Sequence, residues 1–195
     1  MNRLLKLCEK ISDKKLREDT EELLKSTKLH HPEFTMKFTV QNCPTAPDSR
    51  QARPGGLIEH TLSVVDLSES IGKSLAKTYK IPINFDHLLS AAILHDVYKT
   101  VEFGAEGGQY VIDEVYLNHL EMMVAEMYRR KFPKEVIHIV AAHFGTGSAT
   151  PPRTYEALIL HHADTFDSII SANVEQMRKM QEQLMDSIRG SVGEK

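Results

Sequence analysis

Ala91-Ala92-Ile93-Leu94-His95-Asp96-Val97-Tyr98-Lys99 sets a histidine and an aspartate side by side at the end of an apolar run. The run begins at Phe85, after Pro82 and Asn84, and its spacing predicts a helix over 85–97. Leu88, Ala92 and His95 form one edge of that helix, and Leu89, Ile93 and Asp96 form the next. Both ionisable side chains therefore point where apolar ones point. A buried carboxylate needs an opposite charge or a metal. Lys99, just past the helix end, is the one cation able to pair with Asp96.

The same pattern recurs outward from this segment. Gly55-Gly56 opens a helix over 57–79 with the stripe Leu57, His60, Val64, Leu67 and Ile71. A helix over about 113–131 carries His119 with Val115 and Met123, and one over 133–143, begun by Pro133, carries His143 after Val136, Ile139 and Val140. In the last helix, from about Thr154 towards Arg189, Asp164 follows Ala157, Leu160 and His161. Any one of these histidines is best read as a satisfied core residue. Taken together, His60, His95, His119 and His143 with Asp96 and Asp164 have too few matching cations, and a bound metal explains them better. Imidazole with carboxylate suits Mn, Fe, Co, Ni or Zn and admits Mg. No thiolate is in the set, so a structural zinc site is not expected. The set exceeds one tetrahedral zinc; two ions about 3.5–4 Å apart, sharing a carboxylate, would use it fully.

The remaining sequence is consistent with an all-α helical bundle with irregular loops at the metal end, in a single domain. Residues 1–54 form an N-terminal part, 55–170 the core and 171–195 a helical extension. Leucines at helical spacing predict one or two helices over 4–28, while Phe34, Met36, Phe38 and Val40 alternate with polar residues and predict a strand. A Pro, Asn and Ser-rich loop follows from Asn42 to Pro54. Val101–Phe103 and Tyr110–Ile112 predict a small hairpin around Gly104, Gly107 and Gly108, and Gly145 to Pro152 a loop. Val174, Met177, Met180, Leu184 and Ile188 form a late stripe expected to pack on the N-terminal helices, with a homodimer interface as the second reading.

A chain of 195 residues hides roughly 70% of its unfolded surface and does not need a metal to fold. The net charge of −3 argues against binding long duplex nucleic acid. Cys8 and Cys43 stand alone, as expected for idle thiols in a reducing compartment. No apolar stretch reaches membrane-spanning length and the N-terminus soon turns polar, so a cytoplasmic protein is expected.

Gly55-Gly56-Leu57-Ile58-Glu59-His60-Thr61-Leu62-Ser63-Val64 followed by Ala92–Lys99 resembles the HD-domain phosphohydrolase superfamily. Ala142-His143-Phe144-Gly145 and Glu156 to Asp164 bring it nearest to the HD domain of YhaM-type 3′-to-5′ exoribonucleases. The ordered set H…HD…H…H…D carries the resemblance, which is strong from Gly55 to Ser168. It implies one metal on His60, His95, Asp96 and Asp164 and a second on Asp96, His119 and His143, with Asp96 shared. It also implies a metal-activated water as nucleophile, and Lys99 as the lysine that meets the substrate phosphate. Tyr98 replaces the glycine of HDxGK and is expected to narrow the pocket mouth. Phe144 replaces the second histidine of HHG. The exoribonucleases carry an upstream nucleic-acid-binding domain for which this length leaves no room, so RNA trimming is not expected.

Arg53 and Arg153 lie on loops near the expected metal end and are candidates for binding phosphate, and His161 for orienting a ligand; Glu59 and Asp167 have weaker claims of that kind. The expected function is hydrolysis of a phosphoester in a nucleotide or short oligonucleotide. Tyr98 and Phe144 favour the alternative, a metal- and nucleotide-binding regulatory module with little turnover.

Overall fold

The structure, a computed structural model, describes residues 1–46, 49–106, 109–112 and 117–193. Its centre is helix α4 (Phe85–Leu94), begun by the Asn84 side chain accepting from the His87 N–H. Every residue from Leu88 to Leu94 is buried. A helix apolar all round must be enclosed on all sides. Helices α3 (Gly56–Tyr79), α7 (Lys134–Ala141) and α8 (Tyr155–Gly193) pack round it, and α1 (Asn2–Cys8) and α2 (Lys14–Lys25) cover what remains. Polar contacts fix the outer pieces. Asp86 accepts from the Ser12 and Asp13 N–H groups between α1 and α2, and the Thr20 and Ser90 hydroxyls meet at 2.8 Å. One core cluster runs from Leu4 to Ala163.

After α4 the chain makes a turn, the short α5 (Lys99–Glu102) and an antiparallel pair, β1 (Phe103–Glu106) and β2 (Gln109–Ile112), with Phe103 opposite Ile112. Helix α6 (His119–Arg129) then packs on α7. The all-α expectation holds, the hairpin being the one sheet among the described residues. Val101 belongs to α5 rather than to the hairpin. No described helix is long and apolar enough to cross a membrane. Cys8 and Cys43 are buried free thiols, which burial pushes up to about 12.

Residues 34–40 do not form a strand. The alternation is nonetheless real: Phe34, Met36 and Phe38 pack against the core, Val40 is buried, and the intervening residues are exposed. This extended segment finds a single carbonyl instead of a strand partner, the Lys37 and Phe38 N–H groups both donating to the Thr100 oxygen. The 85–97 helix stops at Leu94, and the 113–131 helix begins at His119; Val115, Gly107 and Gly108 lie outside the described residues.

The late stripe does not pack on the N-terminal helices. Val174, Met177, Met180, Leu184 and Ile188 are 41–62% exposed. Helix α8 packs on α3, α4 and α7 with its first turns, and at 39 residues it is long enough to carry the stripe past the bundle.

The described residues of the 42–54 loop, 42–46 and 49–54, wrap the start of α3. Leu57 donates its N–H to Cys43 and Thr45 to Gln51, while Arg50 donates to the Ser171 carbonyl of α8. Gly56 is where this wrap is tightest: a Cβ there would sit 1.8 Å from the Gln51 carbonyl oxygen. Backbone against backbone cannot relax cheaply. Gly56→Ala is expected to lower stability by about 1–3 kcal/mol, read as an earlier midpoint in urea unfolding with the helical far-UV signal of the folded state retained.

Candidate metal centre

Asp96 is the middle of the site. It lies in the turn after α4, 2% exposed, and its two oxygens face different ways. Oδ2 lies 3.2 Å from His60 Nε2 and 3.4 Å from His95 Nε2. Oδ1 lies 3.1 Å from His119 Nε2 and 3.9 Å from His143 Nε2. Asp164 joins the first group, its Oδ1 3.1 Å from His60 Nε2 and 3.9 Å from His95 Nε2. The residues thus fall into two clusters, His60-His95-Asp96-Asp164 and Asp96-His119-His143, each with ligand atoms within 4.8 Å of one another.

The clusters are built by helix ends more than by stripes. His60 and Asp164 do sit within α3 and α8. His95 instead caps the C-terminus of α4, His143 follows α7, and His119 is the first residue of α6. Helix ends have backbone groups to spare. His95 Nδ1 donates to the Ala92 carbonyl at 2.9 Å and His143 Nδ1 to the Val140 carbonyl at 2.7 Å, each three residues back. The other two rings use carboxylates: His60 Nδ1 donates to Asp167 Oδ2 at 2.7 Å, and His119 Nδ1 to Glu102 Oε2. Carbonyls and carboxylates can only accept. Every Nδ1 therefore carries its proton, and all four Nε2 atoms are turned inward for a cation.

Outer contacts hold these partners in turn. The buried Gln51 donates to Asp167 Oδ2 at 3.1 Å, tying the Asn42–Pro54 loop to His60. His161 Nδ1 donates to the His143 carbonyl at 2.8 Å. That ring occupies the place of a side chain at Gly145, where φ is +64° and a Cβ would fall 2.3–2.8 Å from the imidazole. The capping box of Asn118 and Glu121 fixes the start of α6, hence His119.

The electrostatics fit a divalent cation. Burial alone would push His60 and His119 down, yet the carboxylates close to them, Asp164 and Asp167 at His60 and Asp96 and Glu102 at His119, raise both. Burial would raise Asp96 and Asp164, but His95 and Lys99 beside Asp96, and the His60 hydrogen bond to Asp164, lower them, Asp164 to about 2. His143 has no carboxylate behind it, and burial with neighbouring His95 lowers it to about 3. Buried Asp96 Oδ2, His119 Nε2 and His143 Nε2 make no hydrogen bond, although Lys99 Nζ approaches Oδ2 at 2.6 Å as an ion pair. Coordination would satisfy all three. The donor set therefore fits one or two divalent cations.

The other candidate residues separate. Lys99 and His161 join the site; Arg53 and Arg153 do not touch the clusters. Arg53 is held by Glu59 at 2.6 Å, and Arg153 is exposed, its N–H donating to His138 Nε2. Tyr98 does not narrow the mouth. Its side chain is 0% exposed inside the core, near the charges of Glu126 and Arg130. Phe144 is the residue at the opening, 39% exposed, its ring centroid 4.4 Å from that of His143 and 5.3 Å from that of His119. Sequence reasoning missed Glu102 and Gln51 and gave Asp167 too little weight. The signal for Asp167 is its spacing three residues beyond Asp164, which puts both carboxylates on one face of α8.

A helical bundle that gathers buried imidazoles and carboxylates about a shared aspartate defines a metal-dependent phosphohydrolase core. The chain belongs to the HD domain family, which it matches over residues 57–169, and is a metal-dependent phosphohydrolase of that superfamily. It is 39% identical to a dihydroneopterin 2′,3′-cyclic phosphate phosphodiesterase of Methanocaldococcus jannaschii over 88% of this chain and 70% of that one. It is also 33% identical to the 3′-5′ exoribonuclease YhaM of Oceanobacillus iheyensis over 71% of this chain, which covers 46% of the exoribonuclease. The resemblance to exoribonucleases holds, and a cyclic phosphodiesterase stands beside it. No solved structure matches the chain.

Carboxylates that orient ligating histidines contribute strongly to metal affinity. Asp167→Asn and Glu102→Gln are each expected to weaken cation binding by about 10–100-fold, measured by calorimetric titration of Mn²⁺ into the metal-free protein. Unchanged affinity in both would remove their orienting role.

Proposed function

We propose that the protein is a phosphodiesterase for nucleotide-like substrates, including short oligonucleotides and small cyclic phosphodiesters of the kind for which the archaeal relative is named. The observation that carries this reading is Asp96, whose two oxygens face two separate donor sets. His60, His95, Asp96 and Asp164 would hold one cation and Asp96, His119 and His143 the other, drawn from Mn, Fe, Co, Ni, Zn or Mg. When bound, such cations make a water nucleophilic near neutral pH and offset charge on the phosphate. Lys99, largely enclosed and held charged by Asp96, supplies a further positive group for a phosphate oxygen. Asp167, Glu102 and the two helix-end carbonyls keep the rings in one tautomer, so little reorganisation accompanies reaction. In hydrolysis of a cyclic diester the water oxygen bonds to phosphorus, one ring P–O bond breaks, and the departing oxygen takes a proton.

A second reading rests on Phe144, whose ring leans on His143 and His119 and could restrain turnover in a regulatory module that binds metal and nucleotide. The buried position of Tyr98 gives that reading no support. Metal analysis of the purified protein, then assay of 2′,3′-cyclic nucleotides and short oligonucleotides with added Mn²⁺, separates the two. Hydrolysis is expected, falling at least about a hundredfold in Asp96→Ala. Tight nucleotide binding without turnover in any metal would establish the regulatory reading. A folded protein that takes up no metal would overturn both.

For partners, we propose that two copies pair through α8. Phe166, Ile170, Met177, Met180 and Leu184 recur on one face, while Glu175, Arg178, Lys179, Glu182 and Asp186 lie on the opposite one. Arg178 is already occupied by Glu175 and Glu182 of its own helix. The stripe and its flanks are roughly half-exposed or more along several turns and carry no charge to oppose a second copy. Sedimentation is expected to give a dimer that Met177→Glu with Leu184→Glu converts to a monomer. A wild-type monomer at tens of micromolar would overturn the pairing.

A further inference from the structure

A cavity of about 540 Å³ opens beside the second cluster, between α6, α7 and the loop after His143. Its walls are apolar: Leu120, Val124 and Ala125 from α6, Ala141 from α7, and the Phe144 ring. That ring is also the one packed against His143 and His119, so the cavity and the metal centre share a wall. A group attached to a phosphate at the second cluster is therefore only an aromatic ring's thickness from the cavity. The volume is in the range of small-molecule sites and has room for a bicyclic ring with part of a sugar.

The polar groups at one end narrow the chemistry. Asn118 and Glu121 line the cavity, and both are positioned by the capping box rather than free to swing. The Glu121 side chain accepts from the Asn118 N–H with Oε2, and the Asn118 Oδ1 accepts from the α6 N–H groups. Glu121 Oε1 and the Asn118 amide nitrogen are left without a partner among the described residues. A carboxylate oxygen wants an N–H donor, and an amide N–H₂ wants a ring nitrogen or carbonyl. Ser148 is spent on the Ala141 carbonyl, while the Tyr128 and Thr150 hydroxyls also line the cavity and can meet the edge of a ring as donor or acceptor. An aliphatic chain would waste Asn118 and Glu121, and a second phosphate would be repelled by Glu121.

We propose that this cavity binds a planar nitrogen heterocycle carrying N–H groups, attached to the phosphate hydrolysed at the metal centre, with Phe144 as its stacking face and Glu121 as its acceptor. Phe144 then acts as a specificity residue shared by the two halves of the site. This rests on the phosphodiesterase reading for its kinetic part but not for its binding part.

Ala125 is exposed on α6, so Ala125→Trp fills the cavity without disturbing the core. Two measurements decide. In calorimetry, guanosine, which has no phosphate, is expected to bind the wild type and to bind Ala125→Trp at least tenfold more weakly. Glu121→Gln, which keeps the cap, is expected to bind it severalfold more weakly. In kinetics, wild type is expected to prefer guanosine 2′,3′-cyclic phosphate to the base-free ribose cyclic phosphate by at least tenfold in kcat/KM. In Ala125→Trp that ratio collapses towards one, through KM. Guanosine binding that ignores both substitutions, or a preference that survives Ala125→Trp, overturns the proposal. If the wild type hydrolyses neither ester while guanosine binding still responds to the substitutions, the cavity stands and the phosphodiesterase reading falls.

Discussion

The architecture depends on one constraint: a carboxylate, Asp96, buried at 2% exposure with donors converging on both of its oxygens. Removing an ionised carboxylate from water is costly, and it persists inside a fold only when opposite charge reaches it from close by. Here that charge comes from three elements of the bundle at once. His60 arrives on α3, His119 at the head of α6 and Lys99 at the head of α5. The enclosure of α4 by its neighbours is what makes such convergence feasible, because the turn after a fully buried helix is itself surrounded. The core and the site are thus consequences of the same helix.

The supports behind the imidazoles are arranged as a pair of pairs. Each cluster contains one histidine backed by a carboxylate, His60 on Asp167 and His119 on Glu102, and one backed by a helix-end carbonyl, His95 on Ala92 and His143 on Val140. A carboxylate behind an imidazole makes it a more basic ligand; a carbonyl fixes its direction at less electrostatic cost. The directions of the pKa shifts follow this division, with His60 and His119 raised and His143 lowered. Each cation position therefore has one imidazole backed by a carboxylate and one backed by a carbonyl, and neither cluster is merely an accessory to the other.

Much of this was legible in the sequence because His60 and Asp164 lie on regular stripes, and because α4 reads as apolar on every side. The legible part ends where regular periodicity ends. His95, Asp96, His119 and His143 were named from the sequence, yet they act from helix ends rather than from stripes; Tyr98, assigned to the pocket mouth by its place beside Asp96, is buried in the core instead. Residues 34–40 show the complementary failure: alternating burial is a property of any extended segment lying on a core, and only the availability of a partner decides whether it becomes a strand. Glu102 and Gln51 were invisible because their partners, His119 and Asp167, are far away in the chain and brought near by a short helix and an irregular loop. The α8 stripe misled because amphipathicity says that a face will be covered, not by what.

Stability and function are separable here, and the location of charge explains why. The core from Leu4 to Ala163 does not involve the clusters, and without a cation the site offsets its own carboxylates with the Lys99 ammonium and with protons retained by His60 and His119. A divalent cation would take over the role of those protons, so its arrival is an exchange of charge within a prebuilt frame rather than a folding event. Asp167 and Gln51 back the first cluster from the α8 side. Beside the second cluster stands Phe144, whose ring rests on both of its histidines and lines the apolar cavity beyond. A change there alters what lies next to the phosphate without touching a ligand, which is why selectivity in this bundle can vary while the ordered histidines and aspartates stay as they are.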